Sequence, residues 1–389
     1  MTGVLFGTTD VVAPSTSTDR IREHIDHTAR RVDHYIDQLC PGTPDGSCAV
    51  WLPPGHTPAP DDACAQDLAR RLHGALSAPV RHLTDAGGQR WRPVLVWEAI
   101  GLLGGNSEEY GPLIAAMELL HTGSLIVDDV QDASPLRRAR PAAHTVFGVP
   151  AAVNAGTAAY FLTDRAIRLT CPQDPVVSGE LRALFMDVLR AGHAGQALDL
   201  QGHGEEMDRA VACGDRDALL ALVRTTHRLK SGSAVAAGLE AAGVVTGAAP
   251  ALRGALAAFG AAVGTAYQIS DDVADLQGVT WAGTATKHAA EDLRGGKVTM
   301  PLAHAVGRLP QQRLRRLWRQ LRDGGGGTPE VAEACRELQA CGAVTACRTE
   351  ADQMVHSAWA DLRRLLPSTD RCHVLHDLAV AVVQRHQVA

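Results

Sequence analysis

Residues 118–148 read Glu-Leu-Leu-His-Thr-Gly-Ser-Leu-Ile-Val-Asp-Asp-Val-Gln-Asp-Ala-Ser-Pro-Leu-Arg-Arg-Ala-Arg-Pro-Ala-Ala-His-Thr-Val-Phe-Gly, and the chain is organised around them. Leu113, Met117, Leu120, Ser124 and Val127 recur at helical spacing, so the first half reads as an amphipathic helix over 110–131. Asp128, Asp129 and Asp132 crowd its C-terminal end. Asp128 and Asp132 are four residues apart and share a face, and Asp129 stands three from Asp132. Like charges at that spacing cost about 0.2–0.5 kcal/mol per pair, which bound cations remove. Hard divalent ions such as Mg2+ take oxygen ligands, often one or two carboxylates together with substrate phosphates. Arg137 and Arg138 come next, with guanidinium forks suited to phosphate oxygens. One short segment therefore offers ligands for cations and for anions. That suggests a polyphosphate ester whose leaving group must be neutralised.

The pattern returns far down the chain. Ala262, Ala266, Ile269, Val273 and Leu276 form a second helical stripe, and Asp271, Asp272 and Asp275 repeat the DDxxD spacing. One such motif is weak, because a solvated acidic face explains it. Two copies, each ending an apolar helix and each followed by basic residues, point to a shared cation site.

Composition narrows the class. The chain has 389 residues, of which 46% are apolar and only 4% aromatic, with Ala, Leu and Val dominant, a mix that favours helices over sheets. A net charge of -6 without a basic block argues against nucleic acid as a partner. No uninterrupted apolar run reaches about 18 residues, so no spanning helix is expected. Met1 to Asp10 lacks a basic region followed by an apolar one, so no secretory signal is read. Nine cysteines without paired spacing argue for free thiols in a reducing cytoplasm. Cys335, Cys341 and Cys347 lack zinc spacing and read as small buried hydrophobes.

Residues 1–18 read as a frayed terminus, 20–39 as a helix, 40–62 as a proline-rich loop and 62–82 as a second helix. Further helices are expected at 90–104, 110–131, 150–170, 177–200, 215–246, 249–276, 291–307, 309–322, 328–340, 343–366 and 370–386, with Gly- and Pro-rich breaks between them. No alternation is long enough for a strand. The fold class is all-α, a helical bundle around a central cavity. Residues 1–85 form an N-terminal extension without a functional reading, and 86–389 a catalytic domain.

Over residues 85–386 the sequence resembles the trans-isoprenyl diphosphate synthases, or polyprenyl synthetases. The resemblance rests on Gly-Gly-Gln-Arg-Trp-Arg-Pro (87–93), both aspartate motifs, Gln196 with Asp199, Lys230-Ser231, and Asp-Leu-Arg-Gly-Gly-Lys-Val-Thr-Met-Pro (292–301). It implies an isoprenoid synthase-type bundle, a homodimer, Mg2+, and two substrates, an allylic diphosphate and isopentenyl diphosphate. The reaction it implies begins with ionisation of the allylic ester, and metals and cationic side chains stabilise the departing diphosphate. Asp128, Asp132 and Asp271 would be direct ligands. Asp129, Asp272 and Asp275 would be ligands or supports of ligands. Arg137, Lys230, Lys287 and Lys297 would grip the allylic diphosphate, with Gln196 and Asp199 beside it. Ser231 and Gln268 would lie near the cation. No protein base is nominated, because the leaving diphosphate can accept the final proton.

The second diphosphate would be held at Gln89, Arg92, His121 and Arg138. Gln89 departs from the lysine usual in the family and gives up a charge-assisted contact, about 1–2 kcal/mol. That weakens isopentenyl diphosphate binding or signals a different acceptor. Ala139 and Thr286 replace usual glycines, and two extra residues lie between Asp271 and Lys287. Ser124 and Gly123, four and five residues before Asp128, are small where short-product enzymes often carry an aromatic, so the tail is expected to run deep, to geranylgeranyl or longer, with Leu120 and Met117 as candidate floors. The rival readings are a cyclase or a prenyltransferase to another acceptor on the same fold, favoured by Gln89, and a non-catalytic partner subunit, disfavoured by two intact aspartate clusters. The shared site requires both trios to converge on one hollow.

Overall fold

The computed structural model describes residues 17–53, 55–56, 63–277, 280–281, 284–285, 290–322, 327–367 and 369–384. Lys287 and Thr286 lie outside the described residues. The architecture is an all-α bundle, as the residue pattern predicts. Its described strands are two antiparallel two-residue pairs, Leu136–Arg137 with Arg140–Pro141 and Thr280–Trp281 with Thr284–Ala285. Two residues per strand lie below the reach of any alternation argument, so both hairpins are invisible to periodicity.

The helix carrying the first aspartates spans Gly111–Gln131. Leu113, Ile114, Leu119 and Ile126 on it are fully buried. The helix carrying the second spans Pro250–Gln277. It packs lengthwise against Ser233–Val245 on one side and Ala343–Arg363 on another. The long helix Pro175–Gln201 starts where Asp174 accepts hydrogen bonds from the amides of Val176 and Val177, with Pro175 at the first helical position. Burial of Phe185, Phe259 and Leu181 holds the bundle together. The N-terminal helix Ser17–Leu39 adds Val32, Ile36 and Leu39 to the same core. It packs on the helices Trp91–Leu102 and Gly111–Gln131.

Several expected helices are segmented. The stretch 150–170 breaks at Tyr160–Phe161 into Val149–Ala159 and Leu162–Thr170. The stretch 291–307 divides into Glu291–Arg294 and Met300–Ala305, the second with Pro301 in its first turn. The stretch 215–246 is continuous but contains a π-helical turn, Arg228–Gly232, between Arg216–His227 and Ser233–Val245. An inserted residue widens the helix there, a device common at functional sites, and the turn carries Lys230 and Ser231.

Two glycines let neighbours close on this turn. A Cβ at Gly195 would lie 2.4 Å from the backbone nitrogen of Lys230, and one at Gly264 would lie 2.8 Å from the Ser231 carbonyl oxygen. The backbones of Pro175–Gln201 and Pro250–Gln277 are thus in contact with the π-turn from two sides. Replacing Gly195 by alanine should destabilise the chain by about 1–3 kcal/mol, since the obstructing atoms are backbone. Urea unfolding of Gly195→Ala with an unchanged midpoint would show that the helices can part without cost.

Candidate active site

Asp128 lies in the last turn of Gly111–Gln131, and Asp132 caps it, its amide donating to the Asp128 carbonyl at 2.8 Å. The C-terminal end of a helix carries partial negative charge, so carboxylates there repel both the helix and one another. Lysines relieve this. Lys230 Nζ lies 3.1 Å from Asp128 Oδ1 and 2.8 Å from Asp199 Oδ2. Lys297 Nζ lies 2.9 Å from Asp132 Oδ2, 3.6 Å from Asp199 Oδ2 and 4.0 Å from Asp292 Oδ1. Gln196 adds a donor to Asp128 Oδ1 at 2.9 Å. Burial pushes the Asp128 carboxyl up, but Lys230 and Arg137 outweigh it and hold it below the usual carboxylate range. Burial also opposes the charge on Lys230, and the facing carboxylates of Asp128 and Asp199 more than restore it.

The second motif is linked through Gln268 to the π-turn that carries Lys230. Gln268 Nε2 lies 3.5 Å from Asp271 Oδ2, while its oxygen accepts from Ser231 Oγ at 2.7 Å. The other two carboxylates hold backbone. Asp272 accepts the Met300 amide at 2.8 Å and has His227 Nε2 3.5 Å away. Asp275 accepts the amides of Glu291 and Asp292, each at 3.2 Å. These two residues therefore fix both ends of the segment that presents Lys297. Burial and neighbouring Asp292 push the Asp272 carboxyl well up. Asp129 is engaged too: Arg137 Nε donates to its Oδ1 at 2.8 Å.

Among the described residues, no group of three or more His, Cys, Asp or Glu is gathered as a ready metal cage. The donor chemistry of Asp128, Asp132 and Asp271 still suits a hard divalent ion, being oxygen-only and only partly shielded. Asp272 and Asp275 fit less well, their oxygens accepting backbone amides; Asp129 gives Oδ1 to Arg137, while its Oδ2 is buried without a hydrogen-bond partner.

A second basic group lies beside this cluster. Arg92 NH1 lies 3.2 Å from His121 Nε2, and its guanidinium stacks 4.3 Å from the Trp91 ring and 5.3 Å from that of Tyr267. Burial and the surrounding arginines push the His121 pKa well down, so the ring is neutral and accepts from Arg92. Arg138 donates to the carbonyls of Leu83 (3.1 Å) and Gly87 and to Glu118 (3.2 Å). Gln89 is exposed on the loop before them. Arg138 and Ala139 form the turn between the first two strands with φ of 53° and 59°. Two successive left-handed residues mark a mirror-image turn, which explains why glycine suits the Ala139 position.

Gly123 requires a correction. A Cβ there would meet the Gly156 carbonyl oxygen at 2.4 Å, so it faces the helix Val149–Ala159 and not the path of a tail. Phenylalanine at Gly123 would break this crossing before it could block a cavity. Ser124 is half-buried, and its hydroxyl donates to the His121 carbonyl at 2.7 Å. Leu120 and Met117 are buried. Sequence reasoning also missed Arg90, Glu118, Tyr267 and Asp292. Their signal was adjacency to recognised motifs, but nothing in spacing separates them from ordinary helix residues.

Residues 73–338 match the polyprenyl synthetase family. A short chain isoprenyl diphosphate synthase of Methanothermobacter thermautotrophicus is 30% identical over 78% of this chain and 88% of that protein. An octaprenyl diphosphate synthase of Escherichia coli is 27% identical over the same shares. The chain belongs to the polyprenyl synthetase family. Its relatives are prenyl diphosphate synthases, which are transferases. A crystal structure of a polyprenyl synthase from Caulobacter crescentus CB15, complexed with calcium and isoprenyl diphosphate, superposes with a TM-score of 0.73 at 27% identity, over 96% of this chain and 99% of that one. A geranylgeranyl pyrophosphate synthase from Corynebacterium glutamicum, complexed with isoprenyl diphosphate and magnesium, shares the fold at 21% identity and TM-score 0.71, over 94% and 99% of the two chains.

An open cleft of about 740 Å3 lies away from the aspartates, lined by Arg224, His304, Arg308 and Glu350 among others. Glu350, on Ala343–Arg363, bonds Arg224 of Arg216–His227 and lies 2.8 Å from His304 Nε2 of Met300–Ala305. It thus ties together, from behind, the elements that lead to Lys230 and come after Lys297. Burial pushes its carboxyl up, but His304 and Arg224 prevail and bring it down to about 2. A folded pKa below the ordinary one adds stability above about pH 4.5, and this is lost as pH falls toward 2. Glu350→Gln should therefore destabilise the chain by at most about 3 kcal/mol at pH 7, shrinking steadily below pH 4.5. Urea midpoints of both proteins between pH 7 and 3 check this; a pH-independent gap would contradict it.

Proposed function

We propose that the chain elongates trans-prenyl diphosphates, condensing an allylic diphosphate with isopentenyl diphosphate in a Mg2+-dependent reaction. The observation that carries this is the lysine-bridged cluster in which Asp128, Asp132 and Asp199 meet Lys230 and Lys297, with Arg92, His121 and Arg138 beside it. Asp128, Asp132 and Asp271 would hold the metal, with Asp129, Asp272 and Asp275 supporting them. Bound Mg2+ would neutralise charge developing on the leaving diphosphate. Lys230 and Lys297 are already charged and aimed between the helix ends, so they can transfer from carboxylates to phosphate oxygens without reorganising the backbone. Ser231 and Gln268 present fixed dipoles at the same level. Arg92, desolvated and stacked, offers its charge to a second diphosphate, with Arg138, Gln89 and neutral His121 as further contacts.

Ser124 is small, which supports a tail of geranylgeranyl length or longer; the relatives span short-chain and octaprenyl synthases. Exposed Gln89 favours a second reading, in which the allylic cation is cyclised or captured by another acceptor. Incubation with farnesyl diphosphate and Mg2+, with and without isopentenyl diphosphate, should give longer diphosphates by mass spectrometry only when both are present. Hydrocarbon or alcohol formed without isopentenyl diphosphate would establish the second reading instead.

Homodimerisation is part of the proposal. Val149 and Val153 on Val149–Ala159, Phe161 in the turn after it, and Val176 and Met186 on Pro175–Gln201 expose apolar side chains, Phe161 and Val176 at 70% and 68% exposure. Light scattering of wild type should give twice the chain mass, and Phe161→Glu should give the monomer. A monomeric wild type would refute the dimer.

A further inference from the structure

The N-terminal helix Ser17–Leu39 reaches the second basic group through a line of charges. Asp33 Oδ1 accepts from Arg90 Nε at 3.1 Å. Arg90 NH1 donates to Glu118 Oε1 at 2.7 Å, and the same oxygen accepts from Arg138 NH2 at 3.2 Å. Arg90 also gives its remaining amino group to the Thr84 carbonyl at 2.7 Å, while Arg138 holds the carbonyls of Leu83 and Gly87. Both guanidiniums therefore hang from one loop and one carboxylate oxygen.

Arg90 is the cap before Trp91–Leu102, with a left-handed φ of 49°. A bulky residue in that conformation is strained and persists only where its surroundings over-determine it. Here the determinants are Asp33, Glu118 and Thr84. Arg90, Glu118 and Arg92 are buried, at 7%, 2% and 9% exposure, whereas Asp33 is exposed at the rim.

The charge count is unbalanced. Arg92 contacts His121, Arg90 and Arg138 share one oxygen of Glu118 beside it, and after burial Arg92, Arg138, Arg137 and Arg90 all push the His121 pKa down. Two carboxylates face the guanidiniums of Arg90, Arg92 and Arg138, buried Glu118 and, at the rim, Asp33. Buried charge without a counter-charge is costly, and an anionic substrate would supply the remaining one. Glu118 shares a single oxygen between two arginines, so it orients both and neutralises neither fully.

We propose that Asp33, Arg90 and Glu118 form a positioning relay that aims Arg138 at the acceptor diphosphate, which makes the N-terminal helix part of that subsite. This rests on the reading that Arg92 and Arg138 hold the acceptor's diphosphate. Glu118→Gln keeps the shape and one acceptor oxygen but removes the charge. It should raise the KM for isopentenyl diphosphate roughly tenfold, with the KM for the allylic substrate and kcat held within about twofold.

The full chain is assayed with farnesyl and isopentenyl diphosphates, and thermal unfolding is followed in parallel. Because the relay acts through Arg138, the double variant Glu118→Gln with Arg138→Gln should be no worse than Arg138→Gln alone. Multiplying losses would overturn the relay, as would equal rises in both KM values. Asp33→Asn, at an exposed position that does not endanger folding, should raise the same KM severalfold; unchanged constants would remove the N-terminal helix from the site. If Arg138→Gln itself leaves that KM unchanged, the reading of the subsite fails, whatever Glu118 does.

Discussion

Carboxylates at the C-terminal ends of helices are the constraint from which this structure is built. Asp128 and Asp132 end one helix, Asp199 nears the end of a second and Asp271 nears the end of a third. Every one adds negative charge where the helix dipole is already negative. For Asp128, Asp132 and Asp199 the bundle tolerates this because Lys230 and Lys297 come from other elements and bridge the gaps. Neither lysine could do so alone. Lys230 needs the π-turn and the two glycines that let helices close on it, and Lys297 needs the loop that Asp272 and Asp275 pin at both ends. A cluster held by exchangeable cations is suited to exchanging partners, ammonium for metal on one side and carboxylate for phosphate on the other.

This division of labour explains why the two aspartate motifs are alike in sequence and unlike in use. Spacing at three and four residues gathers carboxylates on one side of a helix, and that is all spacing can state. In the first motif, Asp129 turns to Arg137 on the adjoining hairpin. In the second, Asp272 and Asp275 accept amides from the next segments, acting as caps for short helices that have no cap of their own. The difference lies in the segment C-terminal to each motif, and neither the hairpin nor the short helices have a period long enough to be read.

The long apolar helices were legible because 3.6-residue periodicity over many turns has no competing explanation. The π-turn and the break within 291–307 were less so, since they go with contacts across the bundle, Gly195 against Lys230 and Asp272 and Asp275 against the amides of Met300, Glu291 and Asp292. Most of the motif residues named from the family pattern gather at the two charge clusters, Lys287 lying outside the described residues. The inference at Gly123 failed for an instructive reason. A missing side chain suggests open space, yet glycine in a helix equally marks where another backbone comes close, and the Gly156 carbonyl occupies the volume. Small residues reveal that something needs room without revealing whether it is ligand or protein.

Gln89 is subject to the same balance of charge. Taken alone, it subtracts a cation from the second subsite. The surrounding chain carries Arg90, Arg92 and Arg138 about neutral His121, against buried Glu118, so positive charge remains in excess without a lysine on the loop. That excess is desolvated, where each charge interacts more strongly than one on an exposed, mobile side chain would. The loop amide can therefore serve geometry, donating to one oxygen, while the buried arginines supply the field. An acceptor with a diphosphate satisfies that field better than a neutral one, and on this ground the elongation reading outweighs the alternatives that Gln89 first suggests.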